Sequence, residues 1–422
     1  MENGEDLSDK HMKILIIGST LLPNSSANGV CICNIAKEFL KKGYEVYCIG
    51  TQKKNQCNFE ISGGLHIYRV EEAWFSKFHD GFSNGNVAKR IFCNAVHLLR
   101  NVCLIPFHPN TNPIRSRRIY KLACKLVDEK KIDIVIGSYK PYESIYTVQH
   151  LKRKYGKRLY CISYYLDYLI ESKYSSVVRN FYMKSCHRAH RKDICCLDRV
   201  LIPIAEKQQF ESQYDVHSNV DYMELPVYVK EASTSVADLS YCPGMVNFAF
   251  VGSLNTWNRS PERLLKLLKA VRTKGLNLRL HIWGNINDTK EMIAQYPDLV
   301  EYHGYVESKY VSSIMQQADW VINISNKRDF HLVPSKIFQL FASGKPILNY
   351  VFDRHDASLP YFDRYENTYT VYDDQADDPS TVEALVKALQ KQWPPVNADE
   401  EFRENTPEVV AEKILCGYNQ KE

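Results

Sequence analysis

The stretch Phe330–Pro346, FHLVPSKIFQLFASGKP, joins two segments that are both predicted to be buried strands. The apolar run Trp320–Ser325 precedes it and ends at a polar break, and Ile347-Leu348 begins the next strand. Between them, Pro334 suits the first turn of a helix, because a missing N–H costs little there. Apolar residues then recur at helical spacing until Gly344 ends the helix. This order of strand, loop, helix and strand is typical of a parallel α/β sheet.

Ser335 and Lys336 lie at the predicted start of this helix. A helix start has unbonded amides, and a lysine beside them suits a phosphate group. The same residues also suit an ordinary solvated helix start, because anion binding is only one use of a helix N-terminus. The stretch by itself therefore leaves both interpretations open.

Four further motifs precede this stretch in a fixed order. They are a strand followed by Gly-Ser-Leu, an arginine and a proline before a helix, a strand ending in glycine, and a His-Gly pair, at Phe248–Leu254, Asn258–Glu262, Leu278–Gly284 and Tyr302–Tyr305. With the Pro-Ser-Lys and Ser-Gly-Lys-Pro motifs, this order resembles the C-terminal half of glycosyltransferase family 4, and its variants resemble a polysaccharide-biosynthesis (capsule) branch. The resemblance implies a GT-B fold. Such a fold has two Rossmann-like, doubly wound α/β domains facing across a cleft, and its C-terminal helix crosses back to the first domain.

The start of the chain predicts the same architecture. Met12–Ile17 is a short apolar run, as expected of a buried parallel strand, and Val30–Lys42 has the pattern of a helix before a second strand at Tyr44–Ile49. This βαβ unit lacks the G-x-G-x-x-G fingerprint, which disfavours a dinucleotide oxidoreductase. The predicted divisions are a disordered tail at 1–11, a first domain at 12–229, a linker at 230–246, a second domain at 247–395 and a crossover helix at 396–422.

Composition indicates a globular, cytoplasmic chain. The 13 cysteines are odd in number and follow no regular framework, as expected of free thiols in a reducing compartment. No apolar run approaches the roughly 18 residues that span a membrane. Residues 1–240 hold 34 Lys and Arg against 25 Asp and Glu, whereas the remainder holds 20 against 24. The basic clusters Lys152–Arg158 and Arg179–Lys192 suit peripheral contact with an anionic membrane, although charge runs of this kind are more often solvated helix faces. No nucleic-acid motif accompanies them, so no nucleic-acid partner is expected.

The resemblance implies a nucleoside-diphosphate sugar as donor, bound by the second domain. The family compensates the departing diphosphate with an arginine and a lysine, at places where this chain has Ser253 and Asn258. Arg259 and Lys336 are therefore the candidates for the two catalytic cations, with a surface position at a helix start as the alternative for Arg259. The family's two glutamates fall on His331 and Gln339. The candidate donor-binding residues are Gly252, Ser253, Gly284, His331, Pro334, Ser335 and Gln339.

The acceptor is expected at the first domain. Asn28 and Gly29 occupy the family's glycine-bearing loop, although Gly29 also suits a plain turn. Ser138 follows a predicted strand, at the edge where ligands gather in doubly wound folds. Asp167 ends another predicted strand, where a catalytic contact and a helix cap are both plausible roles. The family's histidine next to this position is absent, because Tyr165 and Leu166 precede the aspartate.

No metal and no other cofactor is expected. The cysteines and histidines between Cys186 and Cys196 lack the paired spacings of zinc ligands. The sequence therefore predicts a metal-independent transferase, retaining by resemblance, that moves a hexosyl or N-acetylhexosaminyl group onto a lipid-linked or polysaccharide acceptor. A nucleotide-sugar 2-epimerase of the same fold, and a sugar-nucleotide-binding protein without catalysis, are the alternatives.

Overall fold

The computed structural model describes residues 12–18, 21, 27–53, 55–71, 95–96, 99, 102–167, 169, 176–215, 217–230, 241 and 244–419. The chain divides into two compact units, and the first of them is built from two separate segments. The first unit consists of Met1–Pro226 and Pro407–Glu422, and the second consists of Val227–Thr406. The predicted tail at 1–11 and most of the predicted linker lie outside the described residues.

An eight-stranded sheet runs through the described part of the first unit. Its strands are β1 (Lys13–Ile17), β2 (Glu45–Gln52), β3 (Phe59–Ser62), β4 (Leu65–Glu71), β5 (Ile134–Tyr139), β6 (Tyr160–Tyr165), β7 (Arg199–Pro203) and β8 (Val220–Met223). They lie in the order β3-β4-β2-β1-β5-β6-β7-β8, and only β3 is antiparallel to its neighbour. The inner strands β5, β6 and β7 are buried along their whole length, as parallel strands covered by helices on both faces must be.

Helices accompany these strands in the order of a doubly wound fold. They are α1 (Ala27–Lys41), α2 (Pro113–Lys130), α3 (Tyr142–Tyr155), α4 (Ser176–Cys196) and α5 (Lys207–Glu211), with short 3₁₀ turns at Ile105–Phe107, Gly156–Arg158 and Ile204–Glu206. From β1 the sheet grows outward through β2 in one direction and through β5 in the other. The carboxyl ends of β1 and β5 therefore form the switch point at which doubly wound sheets bind ligands.

The second unit contains a six-stranded, entirely parallel sheet. Its strands are β9 (Val246–Val251), β10 (Leu278–Trp283), β11 (Val300–Gly304), β12 (Trp320–Ile324), β13 (Ile347–Val351) and β14 (Thr368–Tyr372). They lie in the order β11-β10-β9-β12-β13-β14, which puts the switch point between β9 and β12.

The helices of the second unit alternate with its strands. They are α6 (Glu262–Thr273), α7 (Lys290–Ile293), α8 (Ser308–Gln317), α9 (Ile337–Ala342), α10 (Leu359–Arg364), α11 (Pro379–Gln390) and α12 (Ala398–Glu401), with 3₁₀ turns at Asn287–Thr289, Asp373–Gln375 and Arg403–Asn405. One apolar face of α6, Leu264, Leu265, Leu267, Leu268 and Val271, is buried in the core, as the sequence pattern predicts.

The last helix, α13 (Pro407–Asn419), belongs to the first unit and packs against α1. This arrangement and the two doubly wound sheets confirm the predicted fold class. Among the described residues, none of the helices combines the length and the apolar character that a membrane span needs.

Candidate functional site

The loops that follow β9 and β12 meet at the switch point of the second unit. Asn258, from the loop after β9, is 8% exposed and ties the two loops together. Its side-chain oxygen accepts a hydrogen bond from the Arg328 amide at 2.8 Å, and its backbone oxygen accepts one from the Lys327 amide at 2.9 Å. Its Nδ2 donates to Asn326 Oδ1 at 3.2 Å. A buried asparagine with these bonds holds both loops in one geometry.

Arg259 extends from this clamp into the site. Its backbone forms two hydrogen bonds with Asn255, at 3.1 and 3.2 Å, and its Nε donates to Asn326 Oδ1 at 2.8 Å. Burial lowers the pKa of Arg259, and the carboxylates of Asp356 and Asp329 act in the opposite direction. The arginine is therefore a half-buried, oriented side chain, and the alternative of a plain surface residue does not describe it.

Lys336 is the second cation at this place. Its side chain reaches the surface, yet the surrounding protein removes enough water to lower the pKa of the ammonium, and the charge of Arg259 lowers that pKa further. Within the described part of the chain, neither Arg259 nor Lys336 forms an ion pair with a carboxylate. Two neighbouring positive charges without such a partner raise the energy of the empty site and favour an anion between them.

The loop after β13 completes this side of the site. Asp356, which is 4% exposed, accepts hydrogen bonds from the Ser358 amide at 2.9 Å and from its hydroxyl at 2.5 Å. Burial raises the pKa of Asp356, and its hydrogen bonds oppose that shift. The Ala357 amide donates to Phe330 O at 2.7 Å, which joins this loop to the one after β12. Asp356 and Asn326 were not predicted, although each lies just after a buried strand of a parallel sheet.

Gly252 and Gly284 bring the ends of β9 and β10 into close contact. The Gly252 amide donates to Trp283 O at 2.9 Å. A Cβ on Gly284 would lie 2.0 Å from Gly252 O, and Gly284 has a φ of +123°, so no side chain fits there. Ser253 is exposed next to this contact, and its hydroxyl accepts a hydrogen bond from Asn287 Nδ2 at 3.1 Å.

The helix predicted to begin at Pro334 is shorter than expected. Regular helix α9 starts at Ile337, and Lys336 is its N-cap residue. Residues 334–336 form tighter turns instead, with the Ile337 amide bonded to Pro334 O at 3.2 Å and the Gln339 amide bonded to Lys336 O at 3.1 Å. Because α9 has only six residues, its dipole contributes little here, and an anion would be attracted by the two side-chain cations.

The remaining predicted donor residues lie along this segment. His331 is exposed and has an aromatic contact with Phe330, at 6.0 Å between ring centroids. Pro334, Ser335 and Gln339 are half-buried. The structure brings none of these four into a described side-chain hydrogen bond with Arg259 or Lys336, so their roles stay predictions.

In the first unit, Asn28 and Asp167 meet at the switch point. Asn28 Nδ2 donates to Asp167 Oδ2 at 3.0 Å and to Tyr139 O at 3.3 Å. None of the helices in the described ranges begins at Asp167, so a helix cap does not explain it. Gly29 is buried beside Asn28 in the first turn of α1. Ser138 is also fully buried, which suits a supporting position beneath the loop better than direct contact with a ligand.

Glu206 is an acidic neighbour of Asp167 that the sequence did not single out. It follows the carboxyl end of β7, as Asp167 follows that of β6. Burial, together with the negative charge of Asp167, raises the pKa of Glu206 to about 7. Its position after a buried strand is the signal that could have revealed it.

The cysteines and histidines of α4 are structural. His187 Nδ1 lies 2.6 Å from the Tyr214 hydroxyl, and the fully buried His190 ring packs against Tyr165, Phe210 and Tyr214. Cys186 Sγ lies 3.6 Å from Leu169 O. Packing contacts and hydrogen bonds therefore account for the positions of these side chains. The cysteines that the structure describes are all free thiols.

Solved structures define the class of the fold. The chain is similar to sucrose-phosphate synthase from Thermosynechococcus elongatus, with a TM-score of 0.60 and 11% identity over 97% of this chain and 99% of that one. It is also similar to the lipopolysaccharide outer core galactosyltransferase WaaB, with a TM-score of 0.58 and 14% identity over 97% and 100% of the two chains. A third similar structure is WaaG, a glycosyltransferase involved in lipopolysaccharide biosynthesis. Its TM-score is 0.54, with 12% identity over 95% of this chain and 99% of that one. The fold is that of the GT-B glycosyltransferases.

A comparison with protein families identifies the second unit more specifically. Residues 246–390 match the family described as glycosyl transferases group 1, which confirms the resemblance that the motifs of this unit indicated. Among curated proteins, no relative matches the chain. The family match over residues 246–390 supports sugar transfer as the general activity.

Proposed function

We propose that this protein transfers a sugar from a nucleoside-diphosphate sugar to a lipid-linked or polysaccharide acceptor. The observation that carries the proposal is the pair of neighbouring cations, Arg259 and Lys336, at the switch point of a sheet that matches group 1 glycosyltransferases. An anion at this place would relieve their repulsion, and the diphosphate of a sugar donor is an anion of the right chemistry.

The two cations would act on the leaving group. Breaking the bond between sugar and diphosphate moves negative charge onto a phosphate oxygen, and a guanidinium held by Asn326 with a nearby ammonium stabilises that charge as it develops. We propose that this compensation needs no metal ion, and that the transfer retains the configuration of the sugar, as the resemblance implies. Gln339 and His331 would contact the donor through hydrogen bonds, because neither offers a carboxylate.

The acceptor would bind at the switch point of the first unit. Asn28 holds Asp167 in a fixed position, and a carboxylate held in this way accepts hydrogen bonds from sugar hydroxyl groups. The neighbouring Glu206, whose pKa is raised to about 7, has the protonation equilibrium expected of a group that exchanges protons near neutral pH. We propose that these two carboxyl groups select and orient the acceptor hydroxyl.

The proposed location is the cytoplasmic face of a membrane that supplies the acceptor. One face of α4 exposes Phe181, Lys184, Arg188 and Arg191 at helical spacing. No ion pair with a described carboxylate neutralises these three cations. Basic residues interspersed with an exposed aromatic ring favour peripheral binding to anionic lipid.

The first test is the thermal stability of the purified chain with UDP, GDP, CDP, ADP or NAD. A ligand that binds only the folded state raises the melting temperature. We expect one nucleoside diphosphate to raise it, and Lys336→Ala to abolish that rise. Lys290→Ala is the matched control, because Lys290 is an exposed lysine at a helix start of the same unit. No response to any diphosphate, or a response to NAD alone, would contradict the proposal.

Turnover of the corresponding nucleotide sugar distinguishes the enzymes of this fold. Release of nucleoside diphosphate that depends on an added acceptor supports transfer. Conversion of the donor sugar without an acceptor would indicate an epimerase, and binding without any turnover would indicate a protein that has lost catalysis. Either of the latter two results would overturn the transferase proposal.

A further inference from the structure

Three metal-ligating side chains converge on one face of the second sheet, at its β11 edge. His281 lies on β10 directly opposite Glu301 on β11, and His303 follows Glu301 by two residues. The register of the two strands shifts by one residue at His303, and its ring nonetheless reaches the side of the sheet that carries His281, at 3.0 Å between their nitrogens. His281 is buried, whereas the side chains of Glu301 and His303 are 37% and 26% exposed, which leaves an entry path from solvent.

The possible ligand atoms lie near the separations that a small metal ion needs. His281 Nδ1 is 3.0 Å from His303 Nε2. Glu301 Oε2 is 3.9 Å from His281 Nδ1, and Glu301 Oε1 is 3.9 Å from His303 Nε2. Zn²⁺ bonds of about 2.0–2.2 Å in a tetrahedral site place ligand atoms roughly 3.3–3.5 Å apart. The two 3.9 Å contacts use different oxygens of Glu301. With one ligand atom from each residue, the three atoms all lie within 4.8 Å of one another, so binding requires the Glu301 side chain to move closer to one of the histidines.

The protonation of His281 suits a ligand. Asn247 Nδ2 lies 3.0 Å from Met245 O, which can only accept, so the amide orientation of Asn247 is fixed. Its Oδ1 then accepts a hydrogen bond from His281 Nε2 at 3.2 Å. The proton of a neutral His281 is therefore on Nε2, and the lone pair of Nδ1 points toward His303 and Glu301. Such an outer hydrogen bond is the usual way in which proteins orient a metal-binding histidine.

Aromatic packing holds both rings in place. Trp283 stacks on His303 with ring centroids 4.3 Å apart and an angle of 11°. Tyr241 packs edge-on against His281 at 4.9 Å. Arg279 Nε lies 3.1 Å from Glu301 Oε2, so it orients the carboxylate and also competes with a metal ion for it. The site is preorganised, but it is expected to bind less tightly than a closed site with four protein ligands.

We propose that His281, Glu301 and His303 bind a divalent transition-metal ion, with Zn²⁺ as the ion that this donor set fits best. Without the ion, His303 Nε2 donates its proton to His281 Nδ1, and binding requires His303 to carry that proton on its other nitrogen instead. The expectation that no metal binds was based on the cysteines and histidines between Cys186 and Cys196. His281 and His303 lie 22 residues apart along the chain and come together only in the sheet. The ion would join edge strand β11 to β10, and its ligands include neither Arg259 nor Lys336, so this proposal does not depend on the proposed transfer.

The test is a titration of the full chain, freed of any affinity tag and of bound metal, with Co²⁺ and then Zn²⁺. We expect about one equivalent of Co²⁺ to give the visible absorption of a low-coordinate site, and Zn²⁺ to displace it. Glu301→Gln and His303→Ala should each weaken Zn²⁺ binding by at least the roughly 10-fold to 100-fold that loss of an outer partner causes. The control His217→Ala, at an exposed histidine of the other unit, should bind as the natural chain does.

Hydrogen exchange provides a second readout. Zn²⁺ should slow exchange of the β11 amides in the natural chain and in His217→Ala, but not in Glu301→Gln. Glu301 is partly exposed, so this variant is expected to fold, and circular dichroism checks that it does. If Zn²⁺ binds the natural chain no more tightly than it binds Glu301→Gln and His303→Ala, the proposal is wrong, and the two histidines are only a hydrogen-bonded pair.

Discussion

Asp193 is a fully buried carboxyl group in the first unit. The Tyr165 hydroxyl donates a hydrogen bond to it, and Gln149 Nε2 donates another at 2.5 Å. Burial raises the pKa of Asp193 to about 7, although both hydrogen bonds oppose that shift. The folded protein therefore binds this proton more tightly than the unfolded chain does, and folding stability from this group falls as the pH rises from about 4 to 7.

Replacing Asp193 with Asn should remove this dependence on pH. Fully buried His190 has the opposite effect, because burial lowers its pKa to about 3, so its contribution to stability falls as the pH drops below about 6.5. In the natural chain the two contributions offset each other between pH 4 and 6.5. We expect Asp193→Asn to gain stability relative to the natural chain as the pH rises, by about 1.4 kcal/mol per pH unit at most.

Urea unfolding at pH 5 and pH 7.5 measures this difference. A stability difference between the two proteins that stays constant with pH would contradict the raised pKa of Asp193. Asp215→Asn is a suitable control, because Asp215 is an exposed carboxyl group of the same unit.

Single residues could be predicted where a motif suggests the chemistry. Arg259 and Lys336 were identified as cations from the resembled motifs, and Lys336 also from the predicted helix start; in the structure the charge of Arg259 lowers the pKa of Lys336. Their functional roles stay predictions. Asn258 could not be interpreted from the sequence, because its value depends on bonds to the loop at 326–328, which is about 70 residues away along the chain. A tertiary contact of this kind leaves no local pattern.

At the scale of elements, the Asn258 clamp explains a departure from the family. Lysine is the family's residue at this position, but an ammonium cannot accept the hydrogen bond that the Arg328 amide donates to Asn258. We expect Asn258→Lys to destabilise the second unit by about 1–3 kcal/mol, since the Arg328 amide loses its acceptor and a charged group replaces the buried Asn258 amide. It should also weaken nucleotide binding, because the loop that carries Asn326 holds Arg259.

Chemical unfolding and the nucleotide thermal shift measure these two effects. Asn277→Lys is the matched control, because Asn277 is exposed just before β10, at the opposite end of the sheet. Equal stability and equal nucleotide binding in the two variants would show that the clamp is unimportant.

The exposed face of α4 provides a prediction about membrane binding. Reversing Lys184, Arg188 and Arg191 to Glu should abolish sedimentation with anionic vesicles, since each basic residue near such a surface contributes about 1 kcal/mol. Binding of the natural chain should also weaken as salt is added. The control reverses Arg117, Lys121 and Lys125, three exposed basic residues of α2. If both triple variants lose binding equally, net charge and not the α4 face is responsible.

Elements were predicted well where one local pattern decides them. Buried parallel strands such as β12 and β13 are continuous apolar runs, and α6 has an apolar face at helical spacing. The start of α9 was predicted at Pro334, three residues too early. Turns with i to i+3 hydrogen bonds have the same amino-acid composition as regular helix, so the sequence does not distinguish them. The His281–His303 pair lies 22 residues apart and meets only through the register of two strands, which sequence alone does not fix.

At the scale of the whole molecule, the first unit is complete only when the end of the chain joins it. Helix α13 buries Val410, Ala411, Ile414 and Leu415 to 3% exposure or less. Arg199 of β7 donates hydrogen bonds to the Lys413 and Ile414 carbonyl oxygens. Gly417 lies so close to the sheet that a Cβ there would be 2.8 Å from the Tyr160 hydroxyl. A crossover helix was predicted within 396–422, and its placement on the first domain followed only from the resemblance.

Removing residues 407–422 should therefore unfold the first unit while the second keeps its structure. The four buried side chains account for a loss on the order of 5–10 kcal/mol, which is comparable with the whole stability of a domain. Hydrogen exchange measures the protection of backbone amides in both units of one sample. The amides of β6 and β7 should lose protection, and those of β9 and β12 should keep it. Glu412→Gln is the control, because it breaks only the exposed ion pair with Lys42 and should change stability by less than about 1 kcal/mol. If β6 and β7 stayed protected in the truncated chain, α13 would be a surface attachment, and the first unit would not need the end of the chain to fold.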